Sequence, residues 1–136
     1  MKEASFVYSS DLLSYKFNDH HPFNQKRLQI TVDLLKKMNA LSEEDCIKPR
    51  MATDEELSLV HDPDYINAVK LAGQGLLDQD KALNYGIGTE DTPIFAGMHE
   101  ASAWLVGGTL TAVDEVMEGR AEHAVNLGGG LHHGFR

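Results

Sequence analysis

The run Gly128-Gly129-Gly130-Leu131-His132-His133-Gly134 restricts this chain more than any other stretch. It follows directly on a β-prone segment over residues 121–127. Three successive glycines let the backbone turn sharply and approach a ligand, because no Cβ stands in the way. Two adjacent imidazoles follow, and imidazole is the side chain whose unperturbed pKa puts proton exchange near neutral pH. A tight turn at the end of a strand, carrying two such groups, is where an α/β protein places chemistry.

The rest of the chain supplies strands and helices to hold that turn. Residues 5–9, Ser5-Phe6-Val7-Tyr8-Ser9, are β-prone and predict a buried first strand. Residues 14–22 are polar and predict a loop, with His20 and His21 read as a solvated pair. Leu28, Val32 and Leu35 repeat with helical spacing and predict a helix over 23–38. Arg27 lies near its start, where the partial positive charge of the helix N-terminus disfavours a cation; a nearby carboxylate or anion would explain it. Residues 45–49 suggest a second short strand, in which Cys46 reads as a buried, inert thiol. Thr53 and Glu56 form a capping box that opens a helix over 54–59. Asp62 and Pro63 suit the cap and first position of another helix, continuing through Ala72. His61, just ahead of it, reads as a structural hydrogen-bonder.

Residues 73–92 are glycine-rich and polar and predict a long loop, and loops of that length in compact domains tend to be functional. Asp91 or Thr92 then caps a helix with Pro93 at its first position, running to about Glu118 and stopping at Gly119. Ala96, Ala101, Ala103, Gly107, Gly108 and Ala112 keep that helix narrow, so it should pack closely against another element. Residues 120–127 form the next strand. Strands separated by helices imply an α/β sheet with a parallel core.

Bulk properties exclude several classes. The chain's 136 residues allow at most one domain. An apolar fraction of 42% and a charged fraction of 24% exclude disorder. A formal charge of −9 argues against a broad nucleic-acid footprint, which needs clustered Lys and Arg, and suits attraction of a basic substrate. The lone Cys46 rules out an internal disulfide. No apolar run reaches the ~18 residues of a membrane span, so no membrane partner is expected and the location is expected to be cytoplasmic.

Several chemistries of the glycine–histidine turn fail on spacing. Gly128 and Gly130 begin a G-x-G-x-x-G pattern, but position 133 is His133, so the dinucleotide fingerprint is broken. A Walker motif, a G-x-S-x-G elbow and an H-E-x-x-H zinc motif are all missing from the sequence. Adjacent histidines rarely bind one metal, because successive side chains diverge. From an irregular turn both can face one pocket, one as general base and the other as electrostatic partner. Spacing alone leaves that reading open beside a chance pair on a surface turn.

An ordered set of motifs goes further. Phe6-Val7-Tyr8-Ser9 is followed by His21-Pro22 and Arg27, then by Val60-His61-Asp62-Pro63-Asp64-Tyr65-Ile66. Asp91-Thr92-Pro93 with Gly97, Gly107-Gly108, and Asn126-Leu127-Gly128-Gly129-Gly130-Leu131-His132-His133 complete it. In this order the whole chain resembles the N-terminal part of the histone deacetylase superfamily, and most of all its bacterial acetoin-utilisation branch. The resemblance implies a three-layer α/β fold with a parallel sheet, of the arginase/deacetylase type. It implies zinc-dependent removal of acetyl groups from lysine side chains, the metal polarising the carbonyl and activating water. By the same resemblance His133 would be the general base and then acid, and His132 would stabilise charge in the transition state. Asp91 would bind the substrate backbone at the rim, Gly130 would line the lysine tunnel, and Arg27 would line a channel through which acetate leaves.

Family members are longer, and their metal ligands lie beyond the tandem histidines. Residues 1–136 are therefore expected to be one incomplete domain, without metal ligands and inert alone. The alternatives are a deacetylase of acetylpolyamines or other small amides, a non-catalytic binding remnant, or a gene fragment without separate function.

Overall fold

The computed structural model describes residues 1–130. Three parallel strands form its sheet in the order β2-β1-β3: β1 is Lys2–Val7, β2 Cys46–Ile47 and β3 Ala121–Asn126. Val7 pairs with Ile47 on one side and Asn126 on the other. All three strands therefore end at one edge, and the chain leaves β3 there into the glycine turn. The expected first strand thus begins three residues earlier than its apolar run, because Lys2 and Ala4 pair with Ala121 and His123.

Five helices surround the sheet: α1 (Lys26–Lys37), α2 (Asp54–Leu57), α3 (Pro63–Gly73), α4 (Gln79–Asn84) and α5 (Met98–Met117). One core joins Leu12, Tyr15, Leu28, Val32, Ala101 and Leu105, so α1 and α5 close over the strand ends. A second joins Val69, Ala72, Ala82, Ile87 and Met98.

Local chemistry explains most boundaries. Thr53 accepts from the Glu56 amide and Glu56 from the Thr53 amide, so the capping box forms as its sequence demands. Pro63 opens α3, and Gly119 ends α5 at φ +69°. The narrow helix also packs closely. A Cβ on Gly107 would lie 1.8 Å from the Arg50 carbonyl oxygen, which no side chain tolerates. The Arg50 and Ala52 amides donate to Thr111 Oγ1 (3.2 Å) and the Ala103 carbonyl (3.0 Å), lacing that segment to α5. Below them Glu115, buried against β1, accepts from Ser5 Oγ (2.9 Å) and Arg120 Nε (2.6 Å).

Three further expectations change. The helix expected from residue 23 begins at Lys26, whose amide donates to Asn24 Oδ1 at 2.9 Å, so Phe23 stays in the preceding loop. The long loop contains α4, a short helix capped by Asp78 and pinned by fully buried Ala82. The long helix begins at Met98 after left-handed Gly97, not at Pro93. Thr92 is drawn away instead: its hydroxyl donates to the Gly86 carbonyl (2.7 Å), and its own carbonyl accepts from the Gly88 amide (2.8 Å).

Candidate functional site

The glycine turn is held at its root by Asn126. The Asn126 amide donates to the Gly128 carbonyl (2.8 Å), and its oxygen accepts from the Gly128 N–H (3.1 Å). A Cβ on Gly128 would sit 3.1 Å from Leu105 Cδ2, a tight approach that the Leu105 side chain would have to relieve by shifting. His132 and His133 follow two residues past Gly130 and lie outside the described residues.

Gly130 borders three cavities, two of which share the Tyr15–Phe23 pair. One of these two, of about 440 Å³, is walled by Phe17, Phe23, Phe95 and Tyr65. The other, of about 390 Å³, lies between α1 and residues 127–130 and is bordered by Arg27, Tyr15 and Thr31. Tyr15 and Phe23 border both, stacked with centroids 5.3 Å apart, and form the partition. Phe17 meets Phe95 edge-on at 5.5 Å, tying the loop before α1 to the loop before α5. A Cβ on Gly130 would meet nothing within 4 Å. A Cβ there would therefore point into open space among the described residues.

Arg27 stands at the second position of α1, as expected, but its partner is not a carboxylate. Its guanidinium lies 4.9 Å over the Phe23 ring and Nε donates to the Asn24 carbonyl (3.4 Å). Among the described residues it forms no salt bridge. Burial pushes the neighbouring Tyr15 hydroxyl up, with Arg27 opposing. This cationic wall is suited to a small anion.

Asp91 is exposed at the end of the long loop. Its carbonyl is bonded by His21 Nε2 at 3.0 Å, while His21 Nδ1 accepts from the Phe23 amide at 3.1 Å. The expected solvated pair is thus split: His20 is exposed, and half-buried His21 is fixed at both nitrogens and packed 4.4 Å from the Phe17 ring. His61 also departs from expectation. Among the described residues it finds no partner for its buried Nδ1, and its ring leans on Tyr65 at 5.2 Å beside the larger of the two cavities. The aromatic wall itself was not signalled by spacing, because Phe17, Phe23 and Phe95 come from two loops.

Cys46 is half-buried, and burial pushes its thiol pKa up, as suits an unreactive thiol. Among the described residues no three His, Cys, Asp or Glu side chains converge as metal ligands, and no helix is long and apolar enough to cross a membrane.

Comparison with known proteins matches residues 21–136 to the histone deacetylase domain. The acetoin utilization protein AcuC of Bacillus subtilis (strain 168) is 60% identical over all of this chain, which covers 35% of that protein. The crystal structure of an HDAC homolog from Aquifex aeolicus superposes with a TM-score of 0.85 at 32% identity, covering 97% of this chain and 35% of that one. The crystal structure of an HDAC homolog complexed with SAHA matches with the same TM-score of 0.85 and identity of 32%. The chain spans about a third of the length of these relatives.

Proposed function

The chain belongs to the histone deacetylase domain family, and from that premise we propose that the whole protein is a zinc-dependent deacetylase of the acetoin-utilisation branch. It hydrolyses acetyl-lysine amides to lysine and acetate and works in the cytoplasm. The observation that carries this reading is the pair of cavities meeting at Gly130, one aromatic and one cationic. An aromatic wall favours an aliphatic lysine stem by dispersion and by excluding water. A guanidinium-lined chamber behind it favours a carboxylate product.

In this reading Asp91 accepts N–H bonds from the substrate backbone at the rim. His133 takes a proton from the attacking water and returns one to the departing amine as the C–N bond breaks, so water is divided between acetate and lysine. His132 steadies the charge that develops meanwhile. The implied zinc would polarise the amide carbonyl. The described residues alone do not fit it, since no three candidate ligands converge, and residues outside this chain would hold it. The SAHA complex of a structural relative supports a small-molecule-binding role for the fold.

The test is turnover by the full-length protein of an acetyl-lysine peptide beside an acetylated polyamine. Peptide hydrolysis is expected, with His133→Ala lowering kcat by ~10²–10⁴-fold. Preference for the polyamine would move the substrate class to small amines. Turnover unchanged in His133→Ala, or no turnover of either substrate, would overturn the reading. The 136-residue chain alone is expected to show no activity above background.

A further inference from the structure

His21 bridges two loops in a way that fixes its tautomer. The Phe23 amide N–H points at Nδ1 from 3.1 Å, so Nδ1 must present a lone pair. The ring proton of the neutral imidazole then sits on Nε2, 3.0 Å from the Asp91 carbonyl, to which it donates. One ring therefore satisfies a donor two residues away and an acceptor seventy residues away. Phe17 packs against it at a tilt, 4.4 Å away, and Phe95 packs on Phe17, so the imidazole backs an aromatic ring of the cavity wall as well as bridging the loops.

The Asp91 side chain is otherwise poorly restrained. It is exposed, and the hydrogen bonds that order its neighbours belong to Thr89 and Thr92: the Thr92 amide donates to Thr89 Oγ1 (3.0 Å) and the Thr92 hydroxyl to Gly86 (2.7 Å). The bond from His21 ties residue 91 to the loop ahead of α1. We propose that His21 is a positioning residue for the substrate-binding aspartate. Its Nε2–H holds the Asp91 backbone, so the rim carboxylate meets the substrate without first being ordered. The part concerning substrate rests on the deacetylase reading; the bridge itself does not.

Two substitutions separate the two bonds. In His21→Asn the amide oxygen falls where Nδ1 was, keeping an acceptor for Phe23 but losing the reach to Asp91. In His21→Gln the longer amide puts N–H near the Nε2 position and keeps the link to Asp91. The full-length protein labelled with ¹⁵N-histidine would first be examined by long-range ¹⁵N–¹H correlation, which identifies the tautomer. The Nε2–H form is expected for His21, and the Nδ1–H form would overturn the proposal.

Amide exchange at Gly88 and Thr92 then reports the loop without needing turnover. It should rise ~5-fold or more in His21→Asn and stay near wild type in His21→Gln, as loss of one hydrogen bond implies. With an acetyl-lysine peptide, KM should rise by a similar factor in His21→Asn with kcat little changed, and His21→Gln should restore it. Equal loss in both variants, or a fall in kcat alone, would mean that the link to Asp91 positions nothing. If the wild-type protein turned over no acetylated substrate, the deacetylase reading would fail while tautomer and exchange still decided the bridge.

Discussion

The seam between α5 and the sheet and the rim of the aromatic cavity are built on opposite plans. At the seam, contact is made by what is missing: Gly107 has no side chain, and the Arg50 carbonyl occupies the place of one. Its buried polar groups are answered, as Glu115 is by Ser5 and by the partly exposed Arg120. At the rim, contact is made by long reach: His21 crosses to Asp91, and Phe17 crosses to Phe95. The seam should thus fail all at once when altered, whereas the rim should loosen while the fold survives. A site that must admit a substrate is better placed on the second kind of structure, held by a frame of the first kind.

The sharpest way to break this contrast is Gly107→Val. With 1.8 Å between the new Cβ and a backbone oxygen, either α5 or the Arg50 segment must move, and a loss of at least ~3 kcal/mol is expected. Thermal unfolding measures it, and a midpoint within a few degrees of wild type would mean that the seam yields like the rim.

Glu115→Ala should cost ~2 kcal/mol, less than a fully buried pair because Arg120 is 46% exposed. This effect also carries a pH signature. The Arg120 bond, helped by Ser5, holds the Glu115 carboxyl below its ordinary value of 4.5. A lowered folded-state pKa stabilises above the unfolded value, and that stability disappears as pH falls through the folded one. The gap between wild type and Glu115→Ala should be constant from neutral pH to about 5 and should shrink below about 4.5. A gap independent of pH down to 2 would show that packing, not charge, makes the difference.

The smallest effect is expected at the rim. Thr92→Val removes the hydroxyl bonds to Gly86 and Thr89 and should cost only ~1 kcal/mol. Amide exchange should nonetheless rise at Gly88, whose N–H bonds the Thr92 carbonyl. A loss as large as that at Glu115 would erase the distinction between the two regions.

The same contrast decides what the sequence could reveal. The seam is written in local signals: Thr53 and Glu56 three apart, Pro63 at a helix start, and small residues recurring along α5. Each acts within a turn or two of chain, so spacing exposes it. The order of motifs also identified the family and the parallel sheet before any contact was known. The rim escaped because its determinants are distant in sequence. Nothing near Thr92 tells that its hydroxyl will turn back to Gly86 rather than cap a helix. Nothing near His21 tells that its second nitrogen will find Asp91. The resemblance singled out Gly130 and Arg27, but nothing in the sequence told of the phenyl ring beneath the guanidinium. α4 was missed for a different reason: six residues are too few for periodicity to rise above the polar composition around them.

The position of β1 in the middle of the sheet has a consequence for synthesis. β1 leaves the ribosome ahead of both strands that flank it, and Lys2 finds its partner only when Ala121 has appeared. At ordinary elongation rates that interval is roughly ten seconds. During it the apolar face at Phe6 and Val7 can be covered only by what is already made, first α1 and β2 and last of all α5. A parallel pairing that closes so long a loop is slow even after the chain is complete. The glycine turn, which issues from the last of the three strands, cannot take its place until that pairing is made. A nascent chain in that interval exposes Phe6 and Val7 to aggregation, and a holding chaperone would act in that window.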